Sequence, residues 1–145
     1  MDSSSWSTTT AELGPAGRLV FALETLAWSV LLVVVLAAKD VRVARGAIER
    51  MTGGARRLTE DHRAAVVVAL RADRVCRAVR LKSCLLRSLA TWAMLRRRGL
   101  AAEIFFGVQP SGRRLEGHAW LETTSGPLIR GAASGFAPFD RPVTS

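Results

Sequence analysis

The sequence has no tyrosine and only two cysteines, two histidines and five prolines among its 145 residues. So few thiols make a poor disulfide framework. Cys76 and Cys84 also fall outside metal-ligand spacing with any histidine pair, so no zinc site is expected. Free thiols in a reducing cytoplasm fit this usage. Lysine is scarce, with Lys39 and Lys82 the only two, so arginine carries nearly all the positive charge. No basic run is interleaved with aromatics and no nucleic-acid reading motif is present, which argues against a nucleic-acid binder. A secretory start is not expected either, since no basic opening followed by an A-x-A-like cleavage site stands out. No internal repeat is found. Residues 1–10 are Ser/Thr-rich without an apolar period, and residues 1–15 are read as a disordered start.

Hydrophobic residues make up 49% of the chain and charged residues 23%. That balance belongs to a folded chain. A single domain of this size buries about two-thirds of its unfolded surface and needs no metal or disulfide to fold. The 21 Lys+Arg against 12 Asp+Glu give a net charge of +9. An acidic or polyanionic partner and a GC-rich genome account for this equally well. The densest basic run, Arg96-Arg97-Arg98, falls at an expected helix end, where it complements the helix dipole.

Residues 16–57 read as an N-terminal helical region and residues 58–145 as the core. The first helix is expected over residues 16–38, with a continuation to Arg50 left open, before Gly53-Gly54 break the helical run. Residues 19–38 are apolar and interrupted only by Glu24, with Lys39, Arg42 and Arg45 after them. The length suits a membrane span, but Glu24 would be costly there. A buried or interfacial helix is the preferred reading, with peripheral membrane contact through residues 19–38 left open. Thr59 is the expected start of a second helix, with Glu60 and Asp61 in its first turn. Its apolar stripe is Ala65, Val68, Ala72, Val75, Cys76 and Val79.

The best-defined element follows: Ser83 as N-cap, Cys84 opening a helix, and Gly99 just past its end. Leu85, Leu89, Trp92 and Leu95 or Arg96 are expected near one face. The period then changes. Residues 102–108 read as a strand, 110–112 as a turn, 117–122 as a second strand and 128–130 as a short third one. Phe136 and Phe139 are expected to pin the tail to the core. The fold class is α+β, a helical N-terminal half packed on a small antiparallel sheet.

Cys84 is the first candidate for chemistry. A thiol in the first turn of a helix sits at the positive end of the dipole, which favours thiolate. Backbone N–H groups there are unpaired and can hold an oxyanion. The competing reading is a small buried hydrophobe, which is the preferred one for Cys76 in the middle of its stripe. His118 is the second candidate. It shares one strand face with Trp120 and Glu122 and can take a thiol proton and return it to a leaving amine. A structural strand histidine is the competing reading. His62 reads as a surface residue. Arg87 reads as solvent-facing or ion-paired, with a substrate carboxylate as the other use for it. Trp120 either lines the site or packs in the core.

The stretch CLLRSLATWAMLRRRGLAAEIFFGV followed by HAWLE resembles the leader peptidases of lasso-peptide biosynthesis, in the free-standing split form. The resemblance implies a transglutaminase-like, papain-related core in which Cys84 and His118 are catalytic, with no cofactor. It also implies a ribosomal precursor peptide as substrate, a separate small winged-helix peptide-recognition protein, and an ATP-dependent macrolactam cyclase that uses the freed amine. One departure is clear. The family places an acid on the strand after the His-Ala-Trp strand, and the matching position here is Arg130 or Gly131. Asp140, a backbone carbonyl, or a bare Cys–His dyad are the remaining ways to orient the imidazole. The missing acid also keeps a noncatalytic adaptor, holding precursor or cyclase, as an alternative. A membrane-attached basic protein is a third reading, carried by residues 19–38.

Overall fold

The computed structural model describes residues 14–53 and 57–139. The disordered start expected over residues 1–15 lies outside this range except for Gly14 and Pro15. Gly54 and Asp140 lie outside it as well. Four helices precede four strands: α1 (Pro15–Ala38), α2 (Val41–Met51), α3 (His62–Ala78), α4 (Cys84–Arg97), β1 (Glu103–Ser111), β2 (Arg114–Thr123), β3 (Gly126–Pro127) and β4 (Ala137–Pro138). The strands form one antiparallel sheet in the order β3-β2-β1-β4. This is the expected α+β layout.

The first helix ends at Ala38, as expected, and does not take the continuation to Arg50 that was left open. Lys39 is extended, and the Asp40 carboxylate accepts the Val43 N–H at 3.0 Å, which caps a separate α2. A side-chain cap of this kind competes with continuing the first helix. Thr59 does not begin α3. It bridges Leu100 in a parallel contact, donating its N–H to Gly99 and accepting from Ala101. Asp61 caps α3 instead, accepting from Ala64 at 3.0 Å. Of the stripe expected on α3, Ala65, Val68, Ala72 and Cys76 are buried, while Val75 is half-buried and Val79 exposed.

Ser83 caps α4 as expected, accepting from the Leu86 N–H, and Gly99 takes a positive φ just past the end. The burial of α4 differs from the one-face expectation: every residue from Ser88 to Leu95 is buried. The helix is enclosed because α1, α3 and the sheet all pack on it. One hydrophobic cluster therefore joins Phe21, Trp28 and Leu32 of α1 to Val68, Leu89, Trp92 and Leu95. Trp92 donates its indole N–H to the Ala102 carbonyl at 2.9 Å, which satisfies its polar end inside the core.

The basic run after α4 does more than complement a dipole. Arg97 and Arg98 pair with Glu24 at 3.1 and 2.8 Å, and the Arg96 and Arg45 guanidiniums lie over the Trp92 ring. Glu24 is thereby matched inside an apolar helix and fastens α1 to the domain. The opposite face of α1 carries exposed Leu19, Val20, Leu23, Val30 and Val34. Among the described residues α1 is the one helix long and apolar enough to cross a membrane.

β1 and β2 form a hairpin closed by Gly112 and Arg113, with Ser111 opposite Arg114. Both Pro110 and Ser111 thus belong to the strand rather than to the expected turn. Gly112 has φ 60°, which suits the first central residue of a two-residue hairpin loop. The expected third strand shifts to Gly126–Pro127, while Leu128 stays tied to β2 through its N–H to the Leu121 carbonyl at 3.0 Å.

Candidate functional site

The sequence folds a cleft where the start of α4 meets the open edge of β2. β1 pairs β2 along one edge, but β3 covers only Glu122 and Thr123 on the other. The remaining edge faces α4 and the segment that follows β3. Ser88 donates its hydroxyl to the Ala119 carbonyl at 2.9 Å, which sets α4 against β2 one turn beyond Cys84 and one residue beyond His118. The resulting cleft has a volume of about 260 Å³. Cys84 and His118 both line it, so the two residues singled out from the sequence meet in one place. Ser83 and the α4 start put the Cys84 side chain half-exposed at the rim, with the first N–H groups of the helix beside it.

His118 is held on several sides. Phe136 stacks on its ring at 4.6 Å and Trp120 at 6.1 Å. Trp120 packs in turn on Phe105 at 6.0 Å and donates its indole N–H to Glu122 at 2.7 Å. His118, Trp120 and Glu122 share a strand face as the alternation implied. Trp120 both packs and lines the cleft. Burial lowers the His118 pKa from its usual 6.5, and the Arg87 charge lowers it further. The Glu116 charge and the Ala132 backbone oppose that shift. Asp140 lies outside the described residues. Arg130 and Gly131 border the cleft.

The remaining charges are ordered. Asp73 accepts from Arg77 through one oxygen and from Arg87 through the other. Arg87 is thus ion-paired, one of the two preferred readings. His62 is not a free surface residue, because its Nδ1 meets the Thr123 hydroxyl at 2.6 Å and tethers the start of α3 to the end of β2. Cys76 is buried on α3. Burial raises its pKa above the usual 9.0, opposed by a hydrogen bond with Ser29. Among the described residues no group of three or more His, Cys, Asp or Glu is placed to hold a metal.

Three participants were not visible as site residues. Phe136 was expected only to pin the tail; it does so through His118, whereas Phe139 is exposed and held by its backbone N–H to Phe106. Ala132 contributes backbone alone, which no residue type announces. Gly107 stands opposite His118, and a Cβ there would meet the Ala137 carbonyl at 2.7 Å and the Trp120 ring at 2.9 Å. A glycine inside a strand of large residues was the available signal.

A thiol and an imidazole on one cleft, backed by free helix N–H groups, can carry out nucleophilic acyl chemistry. The profile of the Transglutaminase-like superfamily matches residues 22–143, and the chain belongs to that superfamily. No curated protein and no solved structure matches the chain significantly.

Proposed function

We propose that the chain is a cysteine peptidase that removes the leader from a ribosomally made lasso-peptide precursor. The observation that carries the chemistry is the meeting of Cys84, at the start of α4, with His118, on β2, in one cleft of a transglutaminase-like domain. The Cys84 sulfur attacks the scissile carbonyl and the peptide C–N bond breaks. His118 delivers the proton to the leaving amine, which departs as the new N-terminus of the core. Water, activated by the same imidazole, hydrolyses the thioester to a carboxylate and restores the thiol. The lasso-peptide role is supported by the Cys-Leu-x-Arg-Ser-Leu, Arg-Arg-Gly, Gly-Val and His-Ala-Trp set. On that reading the partners are the precursor leader, a small winged-helix recognition protein and an ATP-dependent cyclase. The protein works in the cytoplasm, and the exposed apolar face of α1 supports contact with the membrane surface.

A second reading is a noncatalytic adaptor that holds precursor or cyclase. The observation favouring it is Arg130 in place of the family's orienting acid. Incubation of precursor and recognition protein with wild-type chain and with Cys84→Ala, read by mass, separates the two. The peptidase reading requires leader release by wild type and none by Cys84→Ala. Intact precursor in both, with retained binding, belongs to the adaptor.

A further inference from the structure

We infer that the cleft takes a peptide bearing an acidic side chain close to the scissile bond, and that Arg130 is the residue that pairs with its carboxylate. The inference rests on the peptidase reading for the word peptide. The carboxylate site itself stands on the geometry below.

Among the described residues Asp73 is the only acid on the cleft wall, against Arg77, Arg87 and Arg130. Both Asp73 oxygens are already taken, by Arg77 and by Arg87. Arg130 has no acidic partner among the described residues, and its side chain is exposed at the cleft. It is not carried on a loose loop. Leu128, two residues before it, is buried and bonded to Leu121, and Ile129 packs on the core. Gly131 then turns the chain at φ 77°, and the Ala132 N–H returns to the Ile129 carbonyl at 3.2 Å. The anchored turn keeps the Arg130 backbone at the cleft, and its guanidinium fork suits two-point pairing with a carboxylate.

The surplus of positive charge also acts on the neighbouring ring, since Arg87 helps hold His118 in its neutral form. Glu116 is the acid that opposes this. It is exposed on β2 and is engaged by the Gln109 amide at 3.3 Å. An unmatched cation in a partly enclosed cleft raises the local concentration of anions.

The test needs no precursor. Cys84 in the full chain is alkylated by iodoacetate, which is anionic, and by iodoacetamide, which is neutral. In each case the sulfur displaces iodide and forms the S–C bond. The labelled cysteine is located by mass, and the uncharged N-acetylcysteine amide is the reference. The iodoacetate-to-iodoacetamide rate ratio at Cys84 should exceed that of the reference by about tenfold or more at low ionic strength, and high salt should reduce it. Arg130→Gln should bring the ratio close to the reference, and Arg130→Lys should retain most of it. A wild-type ratio equal to the reference, or one unchanged in Arg130→Gln, overturns the inference. Labelling is independent of cleavage. A biased ratio in a chain that cuts no precursor would retire the peptidase reading and leave the carboxylate site. Cleavage without a biased ratio would retire the carboxylate site alone.

Discussion

Two cysteines close in sequence end up in opposite surroundings. Cys76 lies near the end of α3, buried against Ser29, with its thiol pKa pushed up by burial. Cys84 opens α4 behind a serine cap, half-exposed, on a cleft it shares with a histidine. Position in the helix makes the difference. A mid-helix thiol on the apolar stripe is absorbed into the core, whereas a first-turn thiol stays at the surface beside unpaired N–H groups. The contrast separates a buried thiol from a half-exposed one on a cleft within a single turn-and-helix segment.

The largest effect expected from this contrast is on chemistry at His118. His118→Gln should lower leader cleavage by about 10²- to 10⁴-fold, the usual contribution of a positioned acid–base group. Single-turnover rates measure it. A variant as fast as wild type would remove His118 from the mechanism. Next comes thiol reactivity. Cys84 should alkylate about 10²-fold faster than Cys76, because a buried thiol reacts only when the helix opens locally. Equal rates in a mass-resolved time course would erase the distinction between the two residues.

Stability effects are smaller. Gly107→Ala forces a Cβ against the Ala137 carbonyl and the Trp120 ring, and should cost about 1–3 kcal/mol by overpacking. Urea unfolding reads this. Ser88→Ala removes the hydroxyl that joins α4 to the Ala119 carbonyl, and should cost about 1 kcal/mol. It should also slow cleavage, because that bond fixes the distance between the two sides of the cleft.

The smallest effect is a pH dependence. Burial and the Arg87 charge hold His118 below 6.5 in the folded chain. The unfolded chain therefore binds the proton more readily. The stability linked to this group is complete above 6.5 and declines as the pH falls from there towards the lower folded value. Thermal unfolding scanned from roughly pH 7.5 to 5.5 should show that decline, and His118→Gln should flatten it. Identical slopes in the two chains would contradict the shift.

Much of the architecture was legible because it is local. Ser83, Cys84 and Gly99 mark a helix by cap and stop, and alternation marks the β1–β2 hairpin. The break at Lys39-Asp40 was only partly legible, since neither residue forbids a helix and only the Asp40 cap decides it. Thr59 was misread for the opposite reason: it is a good cap by type, but the Leu100 segment claims its backbone. Arg97 and Arg98 looked like dipole complements until the fold brought Glu24 to them. The site divides in the same way. Cys84 and His118 carry chemistry in their side chains and could be picked out. Ala132 acts through its backbone and Phe136 arrives from the tail, so both depend on tertiary contacts that no short pattern encodes.

The most direct measurement of the central claim pairs Cys84→Ala with Cys76→Ala in the precursor cleavage assay, read by mass. Cys84→Ala should lose cleavage by about 10³-fold or more, as removal of a nucleophile does, while Cys76→Ala should keep it with a modest loss of stability. Cleavage by Cys84→Ala at the wild-type rate would contradict the account.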